Sequence, residues 1–406
     1  MHTEKEQFCS PKSAVMVGVV LALGLAAHPA GASDSLIEAL KGGSAKVDLR
    51  LRYEGVEQDN ARKDADAMTL RTRLGYGTGE FQGFSLYGEF EDVSIIGNTK
   101  YSVPGGADQS YSIVADPEVS EVNQVYLAYS GIPDTRLQYG LQRIILDNAR
   151  FVGNVGWRQN EQTFKAFHLV NSTLPDTQLT YAHLNQIHTI TGTETDTDTH
   201  LLNVRYSGLP VGTLTAYGYF IEFPDSAASQ KTLGLRLTGS HAPGDGMKLL
   251  YALEYAAQSD YKDGNAGIGG KYQLVELGGQ YGGMTAKIGY EVLGDDDHIE
   301  FQTPLATKHA FNGWTDQFLT TPAGGLEDIY VTLGGMAMGV NLLGVYHDYS
   351  SDAGGIDYGS EWGFQAMKKF AKHYQAGLKY SSYSAGDAGT AQVDTDKLWL
   401  WGAVAF

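Results

Sequence analysis

The sequence predicts an all-β chain, a transmembrane antiparallel β-barrel of about 18 strands. Three observations lead there: apolar and charged residues alternate with a period of two, the links between such runs alternate between short and long, and a closing amphipathic strand ends on Phe406. The bulk composition narrows the field. The chain has 406 residues, 42% of them apolar, with 51 Gly, 25 Tyr, one Cys and a formal charge of −18. It is too apolar and aromatic for a disordered chain. After the first thirty residues no apolar run approaches the ~20 that a spanning helix needs. A single Cys excludes a disulfide scaffold. The acidic balance argues against a nucleic-acid binder, which is usually basic.

The N-terminus reads as a secretory leader. Lys5 and Lys12 give a weakly basic start, offset by Glu4 and Glu6. Ala14 to Ala27 is apolar, Pro29 breaks the run, and Ala30-Gly31-Ala32 fits a small-x-small cleavage site. Residues 1–32 are thus expected to be a signal peptide and residues 33–406 the barrel domain. Cys9 precedes the apolar run, so it is no lipoprotein acylation site. The mature 406 − 32 = 374 residues hold no thiol, as suits an oxidising compartment.

The strand signal is plainest in Lys46-Val-Asp-Leu-Arg-Leu-Arg-Tyr-Glu54, where every second residue is apolar and the others are charged. Successive strand side chains face opposite sides, so one face is greasy and the other ionic. Met68 to Thr78 repeats this, with Met68, Leu70, Leu74 and Tyr76 opposite Thr69, Arg71 and Arg73. In Thr232 to Gly239, Leu233, Leu235 and Leu237 oppose Arg236. In His200 to Tyr206, Leu202, Val204 and Tyr206 oppose Asn203 and Arg205.

Link lengths separate a membrane barrel from a soluble sandwich. Short links are expected at 79–83, 131–135, 207–213, 240–246, 282–283 and 334–339; long ones at 56–67, 93–120, 146–160, 186–198, 259–269, 293–325 and 384–393. Outer-membrane barrels have tight periplasmic turns and longer loops outside, and an even strand number leaves both termini in the periplasm. Spread over 18 strands, the 374 residues give roughly 21 per strand and link, against a spanning strand of about 9–11. No blade repeat of a propeller appears. In the last strand Leu398, Leu400, Val404 and Phe406 share a face, with Trp399 and Trp401 on the alternate positions. Tyr and Trp near strand ends are expected in interfacial girdles. A terminal Phe resembles the signal read by the barrel-assembly machinery, so Phe406 is expected to engage it. The expected location is the outer membrane of a Gram-negative bacterium, with its lipid and lipopolysaccharide as surroundings.

If apolar faces meet lipid, the ionic faces line the lumen. Of 11 Arg, only Arg62 falls in an ordinary long loop; Arg50, Arg52, Arg71, Arg73, Arg136, Arg143, Arg150, Arg158, Arg205 and Arg236 lie on polar strand faces or within 143–158. Acidic residues concentrate instead in loops, as at Asp59, Asp64 and Asp66, Asp196 and Asp198, and Asp295 to Asp297. Guanidinium groups stay charged and match carboxylate or phosphate, so an Arg-lined pore favours anions. Arg50, Arg52, Arg71 and Arg73 come from neighbouring strands and could form a ladder. The competing reading pairs them with inward Asp48, Glu54, Glu89 and Glu91 as structural ion pairs. The segment Gly140 to Phe164 carries Arg143, Arg150 and Arg158 at near-even spacing, with polar residues and Trp157 between. It is the expected constriction, folded into the lumen. Trp157 either stacks on a sugar face or anchors the loop.

The run Asn148-Ala-Arg-Phe-Val-Gly-Asn-Val-Gly-Trp-Arg-Gln-Asn-Glu-Gln-Thr-Phe164 resembles the alginate-export family of outer-membrane porins. Glu121-Val-Asn-Gln-Val-Tyr126 and Asp394-Thr-Asp-Lys-Leu-Trp399 add to the similarity. The resemblance implies a monomeric 18-stranded barrel with an electropositive constriction, formed by Arg150, Trp157 and Arg158 with Arg143 just before it, that passes an acidic polysaccharide or oligo-uronate. The chain departs from that family in its short length, in lacking a match to the long plugging loop, and at Lys165, where an acid is expected.

The expected function is a passive channel for anionic solutes. The alternative is a closed or narrow barrel that acts as a binding or adhesion protein through its long loops. No enzyme is expected: neither a Gly-x-Ser-x-Gly elbow nor a His-Glu-x-x-His motif occurs. No cofactor and no metal is expected. Asp295-Asp-Asp-His298 offers oxygen ligands but lacks the EF-hand spacing.

Overall fold

The structure, a computed structural model, describes residues 30–98, 100–224, 226–295 and 299–406. Residues 1–29 of the expected leader and residues 296–298 of the acidic cluster lie outside the described residues. The first element is helix α1 (Ala30–Lys41). It rests against the turn after the second strand, where Gly79 N donates to Ala39 O at 2.8 Å and the Tyr76 hydroxyl donates to Leu40 O.

Eighteen strands follow among the described residues: β1 (Ser44–Gln58), β2 (Ala65–Gly77), β3 (Phe84–Ile95), β4 (Val119–Ile132), β5 (Thr135–Gln142), β6 (Thr163–Asn171), β7 (Thr177–His188), β8 (Glu194–Leu209) and β9 (Gly212–Ile221), then β10 (Gln230–Gly244), β11 (Met247–Asp260), β12 (Lys271–Tyr281), β13 (Met284–Leu293), β14 (Leu326–Ala337), β15 (Val340–Ser350), β16 (Asp357–Phe370), β17 (Tyr374–Ala385) and β18 (Thr395–Ala405). Each pairs antiparallel with the next, and β18 returns to β1, with Arg52 opposite Trp401. Closure removes both sheet edges, so every ladder group can be satisfied inside a bilayer.

Link lengths alternate over most of the barrel, but the strands run further than anticipated, and two links expected to be long, now 59–64 and 189–193, are no longer than the short links 78–83 and 172–176 beside them. The predicted link 334–339 shrinks to Met338-Gly339, both at positive φ (52° and 73°). Asp245-Gly246 (51° and 75°) and Gly282-Gly283 (56° and 82°) are built the same way. Two consecutive left-handed residues make the hairpin turn whose twist suits antiparallel strands, which lets the ladder continue to the turn itself.

The alternation falls on the predicted faces. Leu51, Leu74, Leu127, Leu235, Leu277 and Leu333 are 46–55% exposed and point outward, an apolar band that water would not tolerate but lipid does. This is the architecture of a Gram-negative outer-membrane barrel. Trp399 and Trp401 are not in an interfacial girdle: both are buried on the lumen side. There Trp401 lies over Gly377, its partner across β17 and β18, and any Cβ at that position would sit 2.0 Å from the indole.

The main apolar cluster sits inside the barrel. Ile144, Phe151 and Val152 of the β5–β6 loop and Phe301, Leu305 and Phe318 of the β13–β14 loop pack against wall residues such as Leu184, Tyr217 and Tyr272. The two loops join through a short parallel bridge at Val152 and Leu305. Gly153 N donates to Leu305 O, and Thr307 N donates to Ala149 O, both at 2.9 Å.

Candidate functional site

The β5–β6 loop, residues 143–162, leaves the wall on one side and is held by strands on the other. Arg158 donates from Nη1 to both Glu54 carboxylate oxygens at 3.0 Å and from Nη2 to Asp316 at 2.7 Å. Asp316 belongs to the second inward loop and also takes Lys397 of β18 at 2.9 Å. Arg150 reaches β13, donating to Glu291 and to Asn312, each at 2.8 Å. Gln159 Nε2 bonds Thr69 of β2, and its backbone N–H donates to Asp116 of the β3–β4 loop, which Arg52 also grips. The segment is thus tied to β1, β2 and β13 inside the barrel.

Desolvating so many charges costs several kcal/mol per ion unless each is paired. Here each finds a partner. Burial alone would lower the Arg158 pKa, yet the Glu54 and Asp316 carboxylates hold it above the ordinary value. For Asp316 burial pushes upward, and Lys397, His309 and Arg158 override it, leaving the acid well below its usual range.

Trp157 is an anchor. Its ring stacks on His309 at 4.8 Å with a 4° interplanar angle and meets Trp399 and Trp401 edge-on at 5.7 and 5.5 Å. Lys379 Nζ lies 4.2 Å from the Trp157 ring centroid and 3.9 Å from that of Trp314. It also sits 2.9 Å from His309 Nε2, while His309 Nδ1 sits 2.7 Å from Asp316. A Lys379 N–H directed at Nε2 leaves that nitrogen to accept, which puts the ring proton on Nδ1, directed to Asp316. Burial, reinforced by Lys379, pushes the His309 pKa down to about 3, consistent with that neutral ring. Glu361 of β16 fastens the same loop by accepting from Trp314 N, Thr315 N and the Thr315 hydroxyl. Gly313 beside it has φ +90°, and an added Cβ would lie 2.4 Å from Glu361 Oε2.

Of the four Arg expected to form a ladder, Arg50, Arg71 and Arg73 border one cavity, whereas Arg52 is turned to Asp116 and Glu54. A cavity of about 410 Å³ is bounded by Lys46, Arg50, Arg71, Arg73 and Arg143, with Asp48, Glu89 and Glu161 as its acidic side chains. All four acids weighed in the sequence as structural partners do pair: Asp48 with Arg71 at 2.5 Å, Glu54 with Arg158, Glu89 with Arg143 at 2.7 Å, and Glu91 with Arg73. Arg50 differs. Its contacts are Gln159 Oε1 at 2.8 Å and the carbonyls of Gly156, Trp157 and Arg158. Every one is neutral, so the guanidinium is held without a direct ion pair.

The opposite wall is different. A second cavity of about 460 Å³ is lined by Tyr272, Tyr330, Glu276, Glu291 and Asp328, with Arg236, Lys287 and His347. Arg236 is paired there with Glu254. Arg136 and Arg205 are exposed on the lumen side near the short-turn rim, away from the constriction. The ten Arg therefore divide into loop pins (Arg52, Arg150, Arg158), a group around one cavity (Arg50, Arg71, Arg73, Arg143), one wall pair (Arg236) and two near the short-turn rim (Arg136, Arg205). Sequence reasoning missed Asp116, Asp316, Glu361, Lys379, Lys397 and His309. Only Lys397 and Lys379 carried a local signal, as cations at inward positions of alternating strands.

No family model matches the chain, and no curated protein matches it. Solved structures do. Acinetobacter baumannii OccAB2 is similar with a TM-score of 0.72 at 14% identity, covering 91% of this chain and 99% of that one. Pseudomonas aeruginosa OpdK with vanillate has a TM-score of 0.68 at 16% identity, covering 89% and 98%. Pseudomonas aeruginosa OpdL has 0.68 at 17%, covering 90% and 99%. The chain shares the barrel fold of these Occ/Opd porins.

Proposed function

We propose that the protein is an outer-membrane porin that passes small anionic solutes passively through the Arg-lined constriction. The observation that carries this reading is Arg50, a guanidinium fixed by four neutral acceptors at the edge of the lumen cavity. Its charge is uncompensated by direct contact while the neighbouring Arg residues are paired. In a narrow passage with low-dielectric walls such a charge attracts anions and repels cations. The planar fork suits a carboxylate.

The substrate class in this reading is a carboxylate-bearing molecule of sugar or aromatic-acid size. The resemblance to alginate exporters supports uronates, and the solved neighbour crystallised with vanillate supports a compact acid. The two inward loops favour monomers or short oligomers over a polymer, because they fill the lumen with a packed core. The chain works as a monomer in this reading, its outer wall against lipid and lipopolysaccharide, with Phe406 read by the assembly machinery after removal of residues 1–32.

The test is the reversal potential of single channels in a salt gradient, for the wild type and Arg50→Gln. Anion preference that falls in the variant is expected. Cation preference in the wild type overturns the proposal. Negligible conductance would instead favour a closed barrel that binds partners through its loops.

A further inference from the structure

We propose that His183, Asp198 and His200 bind one divalent transition-metal ion on the outer wall of the barrel, at the extracellular edge of the apolar band. The inference is independent of the channel reading. It starts from strand periodicity. Asp198 and His200 are two apart on β8 and so share a face, and His183 of β7 is the direct cross-strand partner of His200. Three donors are thereby brought together by backbone geometry alone. Their neighbours Ala182, Leu184 and Leu201 are buried toward the lumen, so this trio points outward.

The distances suit a metal. His183 Nε2 lies 2.7 Å from Asp198 Oδ1, and His200 Nε2 lies 3.8 Å from the same oxygen. All three ligand atoms fall within 4.8 Å of one another. A tetrahedral Zn²⁺ with ligands at about 2.0–2.1 Å needs donors roughly 3.3 Å apart. The observed separations bracket that value, and small rotations of half-exposed side chains supply the rest. Three protein ligands leave a fourth position open to solvent or to a second molecule.

The surroundings reinforce the assignment. The Tyr181 hydroxyl is 2.9 Å from His200 Nδ1, and this contact orients the ring with Nε2 toward the trio. Such outer partners are the usual support of a ligating imidazole. The rings of His183 and His200 stack at 4.6 Å with an 8° angle, which keeps both imidazoles on one side of the sheet. The opposing feature is Lys262, whose ammonium is 3.4 Å from Asp198 Oδ2 and also pairs with Glu222. It competes for the carboxylate without blocking Oδ1.

The experiment uses the untagged, folded barrel in detergent, equilibrated with ZnCl₂ and assayed for bound zinc by elemental analysis. Heat-modifiable gel mobility shows that each variant is folded. One Zn²⁺ per chain is expected, lost in His183→Ala/His200→Ala and retained in millimolar Mg²⁺, because imidazole suits transition metals better than Mg²⁺. Tyr181→Phe should weaken binding about 10-fold or more. Lys262→Met should tighten it. A wild type that binds no stoichiometric zinc, or a double variant that binds as much as the wild type, overturns the proposal.

Discussion

Replacing Arg158 with methionine should release the loop that narrows the lumen. The side chain is 7% exposed and makes three charge-assisted bonds, two to Glu54 at 3.0 Å and one to Asp316 at 2.7 Å. Deleting one partner of a buried ion pair costs about 3–5 kcal/mol, because the other charge stays buried. The lower end applies here. Glu54 keeps Arg52, and Asp316 keeps Lys397 and His309. A loss of about 3 kcal/mol shifts the balance between docked and undocked loop roughly 100-fold. The barrel wall should persist, since Arg158 belongs to no strand ladder. Single-channel recording should therefore show a larger and noisier conductance, and limited proteolysis should cut within residues 143–162. Arg158→Lys keeps a charge but not the fork, so its effect should be intermediate. Conductance and cleavage pattern both unchanged in Arg158→Met would refute the pinning argument.

Three further outcomes follow from the same geometry. Gly313→Ala forces a Cβ to 2.4 Å from Glu361 Oε2 at a φ of +90°, so the β13–β14 loop should shift, at a cost of about 1–3 kcal/mol, visible as enhanced protease sensitivity in that loop. His309 gives a pH dependence. Its native pKa is depressed to about 3, so the docked loop keeps its full stability above about pH 6.5 and loses up to about 1.4 kcal/mol per unit as pH falls from there toward 3. Asp316 stays ionised through that window, so channel noise should rise on acidification, and a trace that is flat from pH 7 to about 4 would contradict the neutral ring. Gly377→Val should disturb β18 by displacing Trp401, which would appear as a lower temperature for loss of the compact gel band.

The barrel was legible from the chain because its signal is local. A period of two, read over nine residues from Lys46 to Glu54, already assigns Leu49 and Leu51 to lipid and Arg50 and Arg52 to the lumen. Turn lengths add the rims, and the inward bend of the 143–162 loop could be anticipated from its Arg spacing and the polar residues between them. The alternation also placed Trp399 and Trp401 on the polar face, yet aromatic residues near strand ends suggested a girdle. Packing against Trp157, His309 and Lys379 decided otherwise.

By itself, then, the sequence determined the closed wall, its two faces and the concentration of Arg on one of them, since each follows from neighbours two residues apart. Which Arg is paired with an acid to hold a loop and which meets only neutral acceptors depended on partners far away in the chain. Arg52 meets Asp116 across 64 positions and Arg158 meets Asp316 across 158, whereas Arg50 meets only neutral acceptors. Charge compensation in a low-dielectric interior is set by distances in space, and only the tertiary structure supplies those.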